Sequence, residues 1–347
     1  MVETNPERIL AIDVGTGTQD ILVYDPERSV ENSVQLVLPS PVAMAAQRAR
    51  MATREGRAIF LTGDIMGGWP LNTALKEHLK QGYSVFATER AARTIHDDLA
   101  MVEEMGVFLS DSAPPGAEAI ECGDVDLTRL GQALGPYGVS LPERVAVAVQ
   151  DHGESIGVSN RDTRSHYWQS FIEGGGRLSD LAFTEAVPPQ FTRMAAVRRT
   201  VAGALLMDTG PAAMLGALLD DRVAERAGEG ILVVNVGNGH TFGALVQGDR
   251  VWGLFEEHTF TLTPERLHGY VEAFRGGRLS HEEVYAGGGH GCYYHPGYRN
   301  LKPFAFTTVT GPNRRIAAGL GYHPAVPFGD MMLGGCFGLL RAAGALA

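Results

Sequence analysis

The sequence predicts an α/β fold made of two domains of similar design. Residues 9–25 contain two apolar runs around a short Gly/Thr turn, and residues 231–247 repeat that arrangement without a gap, as expected for two β-hairpins. Between them, strand-like segments at 58–62 and 83–87 flank a helical segment at 71–80, a β-α-β pattern typical of parallel sheets covered by helices. Because internal repetition reflects repeated architecture, we expect two like domains that face each other across a ligand.

Length and composition fit two soluble globular domains. The chain has 347 residues, 44% of them hydrophobic and 20% charged, which allows each domain a core of its own. The net charge of −11 argues against non-specific binding to nucleic acid or to an anionic membrane. Residues 1–8 are polar, and residues 331–347 read as a buried helix rather than an anchor. We therefore expect neither a signal peptide nor a membrane span.

The three cysteines, Cys122, Cys292 and Cys336, are far apart in the sequence. They offer no disulfide framework, and a reducing cytoplasm is the expected compartment. They also lack the close spacing of a ligand set for an iron–sulfur cluster.

The turn of the first hairpin carries residues suited to phosphate and magnesium. Gly15 and Gly17 allow backbone N–H groups to approach an anion, and the hydroxyls of Thr16 and Thr18 add donors. Asp13, at the end of the preceding strand, can hold a magnesium ion through water. The segment is not a Walker loop, because no Gly-Lys-Ser/Thr follows. An ordinary hairpin with a glycine-rich turn is the alternative interpretation.

The turn of the second hairpin repeats the first with one change of chemistry. Superposing residues 13–18 on residues 235–240 aligns the two Gly-x-Gly turns and places an amide, Asn235, where the first hairpin has Asp13. The repetition favours a phosphate-binding role for both turns. The predicted phosphate contacts of the second turn are Asn235, Gly237, Asn238, Gly239, His240 and Thr241.

A second group of polar residues follows the apolar strand at 145–149. Open α/β sheets bind ligands at the carboxyl ends of their strands, which is where Asp151 and His152 lie, and residues 159–164 are rich in side chains that bind oxyanions and hydroxyls. We therefore predict substrate contacts here, with a solvated loop as the alternative for the second segment. The candidate substrate-binding residues are His152, Asn160, Arg161 and Arg164.

A helix of small residues is expected in the middle of the chain. Residues 205–219 place an acid, Asp208, and a proline before alanines and glycines that allow another element to pack closely. Asp208 is either an N-cap or a catalytic base. We predict an N-terminal domain at 1–200 and a C-terminal domain at 201–347, and we expect the Pro/Gly/Asp-rich segment 110–140 to be a surface excursion.

The order of these motifs resembles the actin, sugar-kinase and heat-shock-70 ATPase superfamily. Residues 9–25 and 231–247 are similar to its two phosphate motifs, residues 208–219 to its first connecting helix and residues 306–314 to its adenosine motif. The small-residue C-terminal segment resembles its second connecting helix. The resemblance implies two pseudo-symmetric ribonuclease-H-like α/β domains with magnesium-ATP in the cleft between them.

The resemblance also implies roles for individual residues. Gly311, Asn313 and Arg314 would flank the adenosine of ATP. Heat-shock-type ATPases carry an acid at the position of Asn235, whereas sugar kinases of the glycerol and xylulose type lack it and place their catalytic base just before the connecting helix. The stretch that starts at Asp208 is similar to that of the sugar kinases, with one extra residue between the acid and the alanines.

These features predict magnesium-ATP-dependent phosphoryl transfer to a small hydroxylated substrate. Asp208, or failing it Asp151, would accept the proton of the acceptor hydroxyl. ATP and Mg²⁺ are the expected cofactors, a nucleotide and a small-molecule acceptor are the expected ligands, and a homodimer or a client enzyme stays open as a partner. More narrowly, the chain resembles archaeal and bacterial proteins labelled pyruvate formate-lyase activating proteins. That label implies radical chemistry on an iron–sulfur cluster, and the scattered cysteines argue against it here.

Two other functions stay open from the sequence. The first is an ATP-driven switch that activates or repairs a partner enzyme, and Asn235 is compatible with the slow hydrolysis of such a switch. The second is a metal-binding protein, because histidines and a cysteine at tight spacing are ligands for transition metals. The candidate metal ligands are His290, Cys292 and His295, with His240, His258 and Cys336 as additions.

Overall fold

The computed structural model describes residues 7–301 and 304–346. The strands are β1 (Ile9–Val14), β2 (Thr18–Tyr24), β3 (Val34–Pro39), β4 (Ile59–Gly63), β5 (Val85–Ala87), β6 (Val107–Leu109), β7 (Glu118–Cys122), β8 (Arg144–Val149), β9 (Ala182–Phe183), β10 (Leu205–Met207), β11 (Ile231–Val236), β12 (His240–Gln247), β13 (Arg250–His258), β14 (Gly291–Tyr294), β15 (Phe306–Thr310) and β16 (His323–Pro324). The α-helices are α1 (Pro41–Arg54), α2 (Leu71–Lys80), α3 (Glu89–Ala92), α4 (Leu99–Glu104), α5 (Leu127–Leu134), α6 (Asn160–Glu173), α7 (Thr192–Thr200), α8 (Thr209–Ala217), α9 (Asp221–Ala224), α10 (Pro264–Arg275), α11 (His281–Ala286) and α12 (Gly334–Ala342).

Two six-stranded sheets share one topology. The first sheet has the order β3-β2-β1-β8-β10-β9, and the second has the order β14-β13-β12-β11-β15-β16. In each sheet three antiparallel strands, β1 to β3 or β11 to β13, are followed by parallel strands beside the first of them. Five strands therefore correspond in the two sheets. The chain has the predicted α/β fold with two pseudo-symmetric, ribonuclease-H-like halves, and the predicted repeat of the hairpin is confirmed.

The central strands are buried on both faces. Residues 9–12 and 231–234 are at most 2% exposed, and residues 145–149 of β8 are buried as well. Strands covered on both faces need continuous apolar runs rather than alternation, which explains the four-residue apolar blocks in the sequence. Polar residues consequently appear where these strands end.

A third sheet is inserted between β3 and β8. Its four strands are parallel, in the order β6-β5-β4-β7, and they share a hydrophobic core with α1 and α2 that is separate from the cores of the other sheets. The β-α-β unit predicted at 58–87 is confirmed at the centre of this sheet. The range 110–140, expected as a surface excursion, contributes β7 and α5. The insertion is therefore larger than the sequence indicated and begins at α1.

Helices α8 and α12 cross in direct backbone contact. A Cβ atom at Gly216 would lie 1.8 Å from Gly334 O, and one at Gly338 would lie 1.8 Å from Ala212 O. The two helices are exchanged between the halves, because α8 follows the first sheet and packs on β11 and β15, whereas α12 follows the second sheet and packs on β1 and β8. The close packing predicted from the small residues is confirmed.

The first sheet extends further along the chain than the predicted boundary at residue 200. Strand β10 pairs with β8, so the change from one half to the other falls at α8. No α-helix in the described ranges is both long enough and apolar enough to cross a membrane.

Candidate functional site

A cavity of about 950 Å³ lies between the hairpin turns of the two sheets. The two turns and the first turns of α8 and α12 form one part of its wall. Three loops form another part, namely 65–69 and 93–97 from the inserted unit and parts of 150–160 after β8. This volume is at the upper end of the range for small-molecule pockets, so the cavity has room for more than one phosphate group.

The two hairpin turns have the same internal hydrogen bond. Gly15 N donates to Thr18 O at 2.8 Å, and Gly237 N donates to His240 O at 2.9 Å. In each hairpin a turn of three residues therefore follows the first strand, which carries Asp13 in the first sheet and Asn235 in the second. The gapless superposition made from sequence is thus matched by the structure of the turns.

Two carbonyl groups of each turn accept hydrogen bonds from the residue that follows the third strand of the same sheet. Ser40 donates its N–H to Gly17 O at 3.1 Å and its hydroxyl to Thr16 O at 2.8 Å. Thr259 donates its N–H to Gly239 O and its hydroxyl to Gly237 O, at 2.9 Å each, so the N–H bond has the same place in both turns whereas the hydroxyl bond does not. Thr241, expected to contact phosphate, is buried and its hydroxyl lies 3.0 Å from that of Thr259.

Two N–H groups in each turn are available to a ligand. Within the described ranges, the N–H groups of Thr16, Gly17, Asn238 and Gly239 donate no hydrogen bond to the protein. The turns lie opposite each other, because a Cβ at Gly17 would be 3.4 Å from Asn238 Nδ2 and one at Gly239 would be 3.6 Å from Thr16 Oγ1. Successive free N–H groups of this kind form anion-binding concavities. The structure therefore brings the two predicted phosphate turns together.

The loop after β15 supports the second turn. Gly311 has a φ of 96°, and a Cβ there would lie 2.5 Å from Asn235 Oδ1, so this position requires glycine. Asn313 Nδ2 donates to a backbone carbonyl and a side-chain oxygen of the second turn at 3.0 and 3.1 Å. Arg314 Nη1 lies 3.5 Å from Gly311 O. Of the three residues expected to flank adenosine, Gly311 lines the cavity, whereas Asn313 and Arg314 bond to the protein.

Asp13 lies on the cavity wall against the first turn of α12. A Cβ at Gly335 would be 1.9 Å from Asp13 Oδ2, and Asp13 Oδ1 is buried without a hydrogen-bond partner among the described residues. Burial raises the pKa of Asp13 well above its usual range, and the negative charges of Asp20 and Asp208 raise it further. A cation would offset this cost, so the residues present fit a hydrated Mg²⁺ held by Asp13.

A buried ion-pair network lies behind the cavity. Arg164 is 1% exposed, and it donates from Nη1 to Asp208 Oδ2 at 2.7 Å and from Nε to Glu256 Oε2 at 2.8 Å. Trp168 Nε1 donates to the same oxygen of Glu256 at 2.7 Å, and Gln150 Nε2 donates to Oε1 at 3.0 Å. Burial alone would raise the pKa of Glu256, but the charge and hydrogen bonds of Arg164 together with the neighbouring His290 and His240 outweigh it and hold this pKa well below its usual range. Arg164, predicted to bind substrate, is thus bound by two carboxylates.

The two candidate bases, Asp208 and Asp151, are adjacent and both line the cavity. Asp208 caps α8, with Oδ1 accepting from Gly210 N at 3.1 Å and Oδ2 from Asp151 N at 3.2 Å. Asp151 accepts from Gly153 N and Met194 N at 2.9 Å each. Burial raises the pKa of Asp151 to about 6, although these two N–H groups lower it. Asp208 is therefore paired with a guanidinium, whereas the hydrogen bonds of Asp151 come from the backbone.

Four histidines meet at one side of the cavity. The ring centroids of neighbouring pairs among His152, His240, His258 and His290 are 4.7 to 5.3 Å apart, and the carboxylate of Glu256 is beside them. Burial lowers the pKa of His240 to about 3 and that of His290 to about 4, and it holds the pKa of His152 well below its usual range. These three rings are therefore neutral at neutral pH. The sequence analysis had grouped His290, His240 and His258 among the candidate metal ligands, with His240 also in the second turn, and had placed His152 among the substrate-binding residues.

Other predicted residues lie outside this group. Arg161 donates from Nε to Gly289 O at 3.0 Å, so its guanidinium, like that of Arg164, is hydrogen-bonded within the protein. Asn160 lines the cavity. Cys292 is buried in the hydrophobic core of the second sheet, and His295 Nδ1 accepts from a backbone N–H at 3.0 Å. Of the predicted metal-binding segment, His290 alone joins the histidine group.

Sequence reasoning missed several residues of the site. Ser40 and Thr259, which support the two turns, gave no motif signal. Trp168 lies in a helix of mixed composition. Glu256 had a visible signal, because it is the first of two adjacent acids in the otherwise apolar β13, and charged residues are rarely buried unless they are paired.

The fold and the site together define the class of protein. Two ribonuclease-H-like halves, two exchanged helices that cross at glycines, and two opposed Gly-x-Gly turns are the architecture of the actin, sugar-kinase and heat-shock-70 superfamily. Within that class, the chain belongs to the family described as "Putative pyruvate format-lyase activating enzyme (DUF1786)", whose model matches residues 66–316. No curated protein matches the chain by sequence.

Solved structures with distant similarity cover nearly the whole chain. The ethanolamine utilization protein EutJ from Carboxydothermus hydrogenoformans is 13% identical over 97% of this chain and 90% of its own, with a TM-score of 0.29. The ROK hexokinase from Thermus thermophilus is 13% identical over 97% and 99%, with a TM-score of 0.32. A chain of the PilM-PilN type IV pilus biogenesis complex is 14% identical over 96% and 98%, with a TM-score of 0.38. The identities and the TM-scores are low, so the fold is assigned from the order of the strands within the two six-stranded sheets of this chain.

The cysteines do not form the ligand set that the family description implies. Cys122, Cys292 and Cys336 are all the cysteines of the chain, and each is buried in a different hydrophobic core. An iron–sulfur cluster needs three or four thiolates close together, and the three cysteines of this protein do not provide such a group.

Proposed function

We propose that the protein binds magnesium-ATP between the two hairpin turns and transfers the terminal phosphoryl group to a small hydroxylated molecule. The free N–H groups of Thr16, Gly17, Asn238 and Gly239 carry this proposal, because two carbonyl groups of each turn accept hydrogen bonds from the protein while these four N–H groups are left for an anion. Phosphoryl transfer depends mainly on positioning and on neutralising phosphate charge. Two opposed sets of N–H donors and a carboxylate for Mg²⁺ supply both.

The size of the cavity supports a second ligand beside the nucleotide. Beyond the turns, the cavity continues between loops 65–69, 93–97 and 150–160. Two of these loops come from the inserted unit, which has no counterpart in the second half of the chain. We infer that this unit was added to enclose the acceptor, because a site for nucleotide alone is complete without it.

The general base is proposed to be Asp151, with Asp208 in a supporting role. Asp208 is held by Arg164 at 2.7 Å and by the N-terminal turn of α8, so its charge is already paired. Asp151 is at the same end of the cavity, and its carboxylate is bonded by backbone N–H groups alone. Its oxygens keep lone pairs for an acceptor hydroxyl.

The nucleotide site is tested by adding a side chain where phosphate should lie. A Cβ at Gly239 meets only Thr16 Oγ1, at 3.6 Å, so Gly239→Val should fold normally. Because the added side chain blocks the approach of phosphate to the N–H groups, we expect the Kd for magnesium-ATP, measured by isothermal titration calorimetry, to rise at least about tenfold. Gly228→Val is the matched control, since a Cβ there meets nothing within 4 Å. An unchanged Kd for Gly239→Val would remove this turn from the phosphate site.

Magnesium binding is tested separately with Asp13→Asn. This variant keeps the shape of the side chain and removes the charge that would hold the hydrated ion. We expect the affinity for ATP to lose most of its dependence on Mg²⁺, and turnover to fall on the order of a hundredfold if the metal positions the phosphate. Wild-type dependence on Mg²⁺ in this variant would contradict the assignment.

The transfer reaction distinguishes a kinase from an ATP-driven switch. Phosphoryl transfer is measured over a panel of polyols, sugars and hydroxy acids, together with the melting temperature and the affinity for ATP. For Asp151→Asn we expect transfer to the true acceptor to fall by a factor of about 10² to 10⁴, with ATP affinity near that of the wild type. If no compound accepts phosphate and slow ATP hydrolysis persists in the variant, the switch becomes the better explanation.

A further inference from the structure

The histidine group contains buried nitrogen atoms that have no partner. His152 Nε2 and both ring nitrogens of His240 and of His290 are buried, and the described part of the chain offers none of them a hydrogen bond. A neutral imidazole has one N–H donor and one lone pair, and buried polar groups without partners are rare in folded proteins. Five such atoms in one group need an explanation. A metal ion bound by the lone pairs of the ring nitrogens would provide it.

We propose that His152, His240 and His290, with Glu256 as the fourth donor, bind one divalent transition-metal ion of the zinc or iron(II) type. One ligand atom from each of the four residues lies within 4.8 Å of all the others. Four donors around a tetrahedral ion at about 2.1 Å are separated by about 3.4 Å. The set is therefore compact enough that small side-chain rotations complete the coordination.

The type of donor selects the class of metal. Imidazole nitrogen suits zinc, iron and nickel, whereas magnesium and calcium prefer oxygen ligands. The proposed ion is thus different from the Mg²⁺ assigned to Asp13, and the ligand set is not the segment His290 to His295 that the sequence suggested. His295 and Cys292 are engaged elsewhere.

The surroundings of Glu256 resemble the support of a metal ligand. Arg164, Trp168 and Gln150 bond to its two oxygens at 2.7 to 3.2 Å and fix its orientation, as residues around metal sites commonly do. The single guanidinium of Arg164 is matched by two carboxylates, those of Glu256 and Asp208. One negative charge is therefore left over to favour a cation at the histidines.

The site joins the two halves of the protein. His152 follows β8 of the first sheet, whereas His240 and Glu256 belong to β12 and β13 of the second, and His290 precedes β14. His240 also comes directly after the second hairpin turn. The proposal goes beyond phosphoryl transfer and does not depend on it, because it stands on the histidines and Glu256 alone.

The test is metal binding by the full-length chain. The purified protein is stripped with a chelator, incubated in turn with Zn²⁺, with Fe²⁺ under anaerobic conditions and with Co²⁺, and freed of excess ion by gel filtration. We expect about one equivalent of metal per chain by mass spectrometry, a higher melting temperature with metal, and visible absorption of the Co²⁺ form that reports nitrogen ligands. These readouts need neither ATP nor an acceptor, so they stand whether or not the protein is a kinase.

Variants locate the ion. Loss of residues that only support a ligand costs about 10- to 100-fold in metal affinity, so loss of a ligand should cost more than about 100-fold. We expect this loss for His240→Gln and His290→Gln, measured by competition with a chromophoric chelator. The matched controls are His295→Gln, from the same segment as His290, and the exposed His268→Gln, and both should stay within about threefold of the wild type. Circular dichroism of the metal-free variants checks the fold.

Any of three results would overturn the proposal. One is a wild-type protein that retains less than a tenth of an equivalent of every ion, in which case the histidines are a neutral packed group. Another is a loss of affinity in His295→Gln equal to that in His290→Gln, which would move the ion to the segment first suggested by the sequence. A folded His240→Gln variant that keeps wild-type affinity would exclude the assigned ligand set in the same way.

Discussion

The crossing of α8 and α12 allows a sharp test of the structure with a single methyl group. A Cβ at Gly338 would lie 1.8 Å from Ala212 O and 2.9 Å from Gly216 N. Non-bonded atoms prefer separations of about 3.5 Å or more, so Gly338→Ala would force the helices apart by roughly 1.5 Å. Both obstacles are backbone atoms, which cannot move aside as a flexible side chain can.

The expected magnitude follows from two opposing terms. Overpacking a core costs about 1–3 kcal/mol, and a backbone obstacle places this position at the upper end. Alanine gains about 1 kcal/mol over glycine within a helix. We therefore expect Gly338→Ala to lower the free energy of unfolding by about 2 kcal/mol, measured as a shift of the urea midpoint at constant slope.

A second glycine provides the control. Gly269 lies in α10 on the protein surface, and a Cβ there meets nothing within 4 Å. Gly269→Ala should therefore stabilise the protein by about 0.5 to 1 kcal/mol. If Gly338→Ala is as stable as the wild type, or gains stability as Gly269→Ala does, the helices do not touch through their backbones and the proposed crossing is wrong.

Three further outcomes are expected. Burial raises the pKa of Asp20 to about 7 in the folded protein, compared with about 3.9 in an unfolded chain. Because the unfolded chain loses this proton at a lower pH than the folded protein does, the free energy of unfolding falls between about pH 4 and pH 7. Asp20→Asn removes that loss and should raise the melting temperature more at pH 8 than at pH 4, and an equal shift at both would contradict the pKa. Arg164→Gln leaves Asp208 and Glu256 buried without their partner and should cost about 3–5 kcal/mol in urea unfolding; a loss below about 1 kcal/mol would show that the network is solvated. Asn313→Ala removes two hydrogen bonds to the second turn and should raise the Kd for ATP about tenfold. An unchanged Kd would show that the turn keeps its shape without these two hydrogen bonds.

The parts of the fold that could be predicted are those whose signal is local. Both hairpins were found because a Gly-x-Gly turn and its flanking apolar strands are contiguous, and the crossing of the helices was found because small residues at 212–217 leave room for another backbone. The inserted sheet was found in part. Its strand β7 has few residues and pairs with β4, more than fifty positions earlier, and the glycines and prolines around it read as a loop.

The site was harder to predict because its contacts are distant in sequence. Glu256 bonds to Arg164 across 92 positions, and no spacing rule relates them. His240 was named beside His290 as a possible additional metal ligand, but His152 was assigned from its place at a strand end, and Glu256 was not named. Their meeting depends on how the two sheets face each other, which periodicity and turn chemistry do not determine.

Residues 160–178 belong to the first half of the chain by sequence, but several of their hydrogen bonds join them to the second half. Arg164 bonds to Glu256 at 2.8 Å, and beyond the helix Gly176 O accepts from Val251 N at 2.7 Å. Cooperative units in hydrogen exchange follow such contacts rather than chain order. The amide protons of this segment should therefore exchange together with those of β13 and not with those of β1. The border between the two units that unfold as wholes thus lies inside the N-terminal half, before α6 and again before β9.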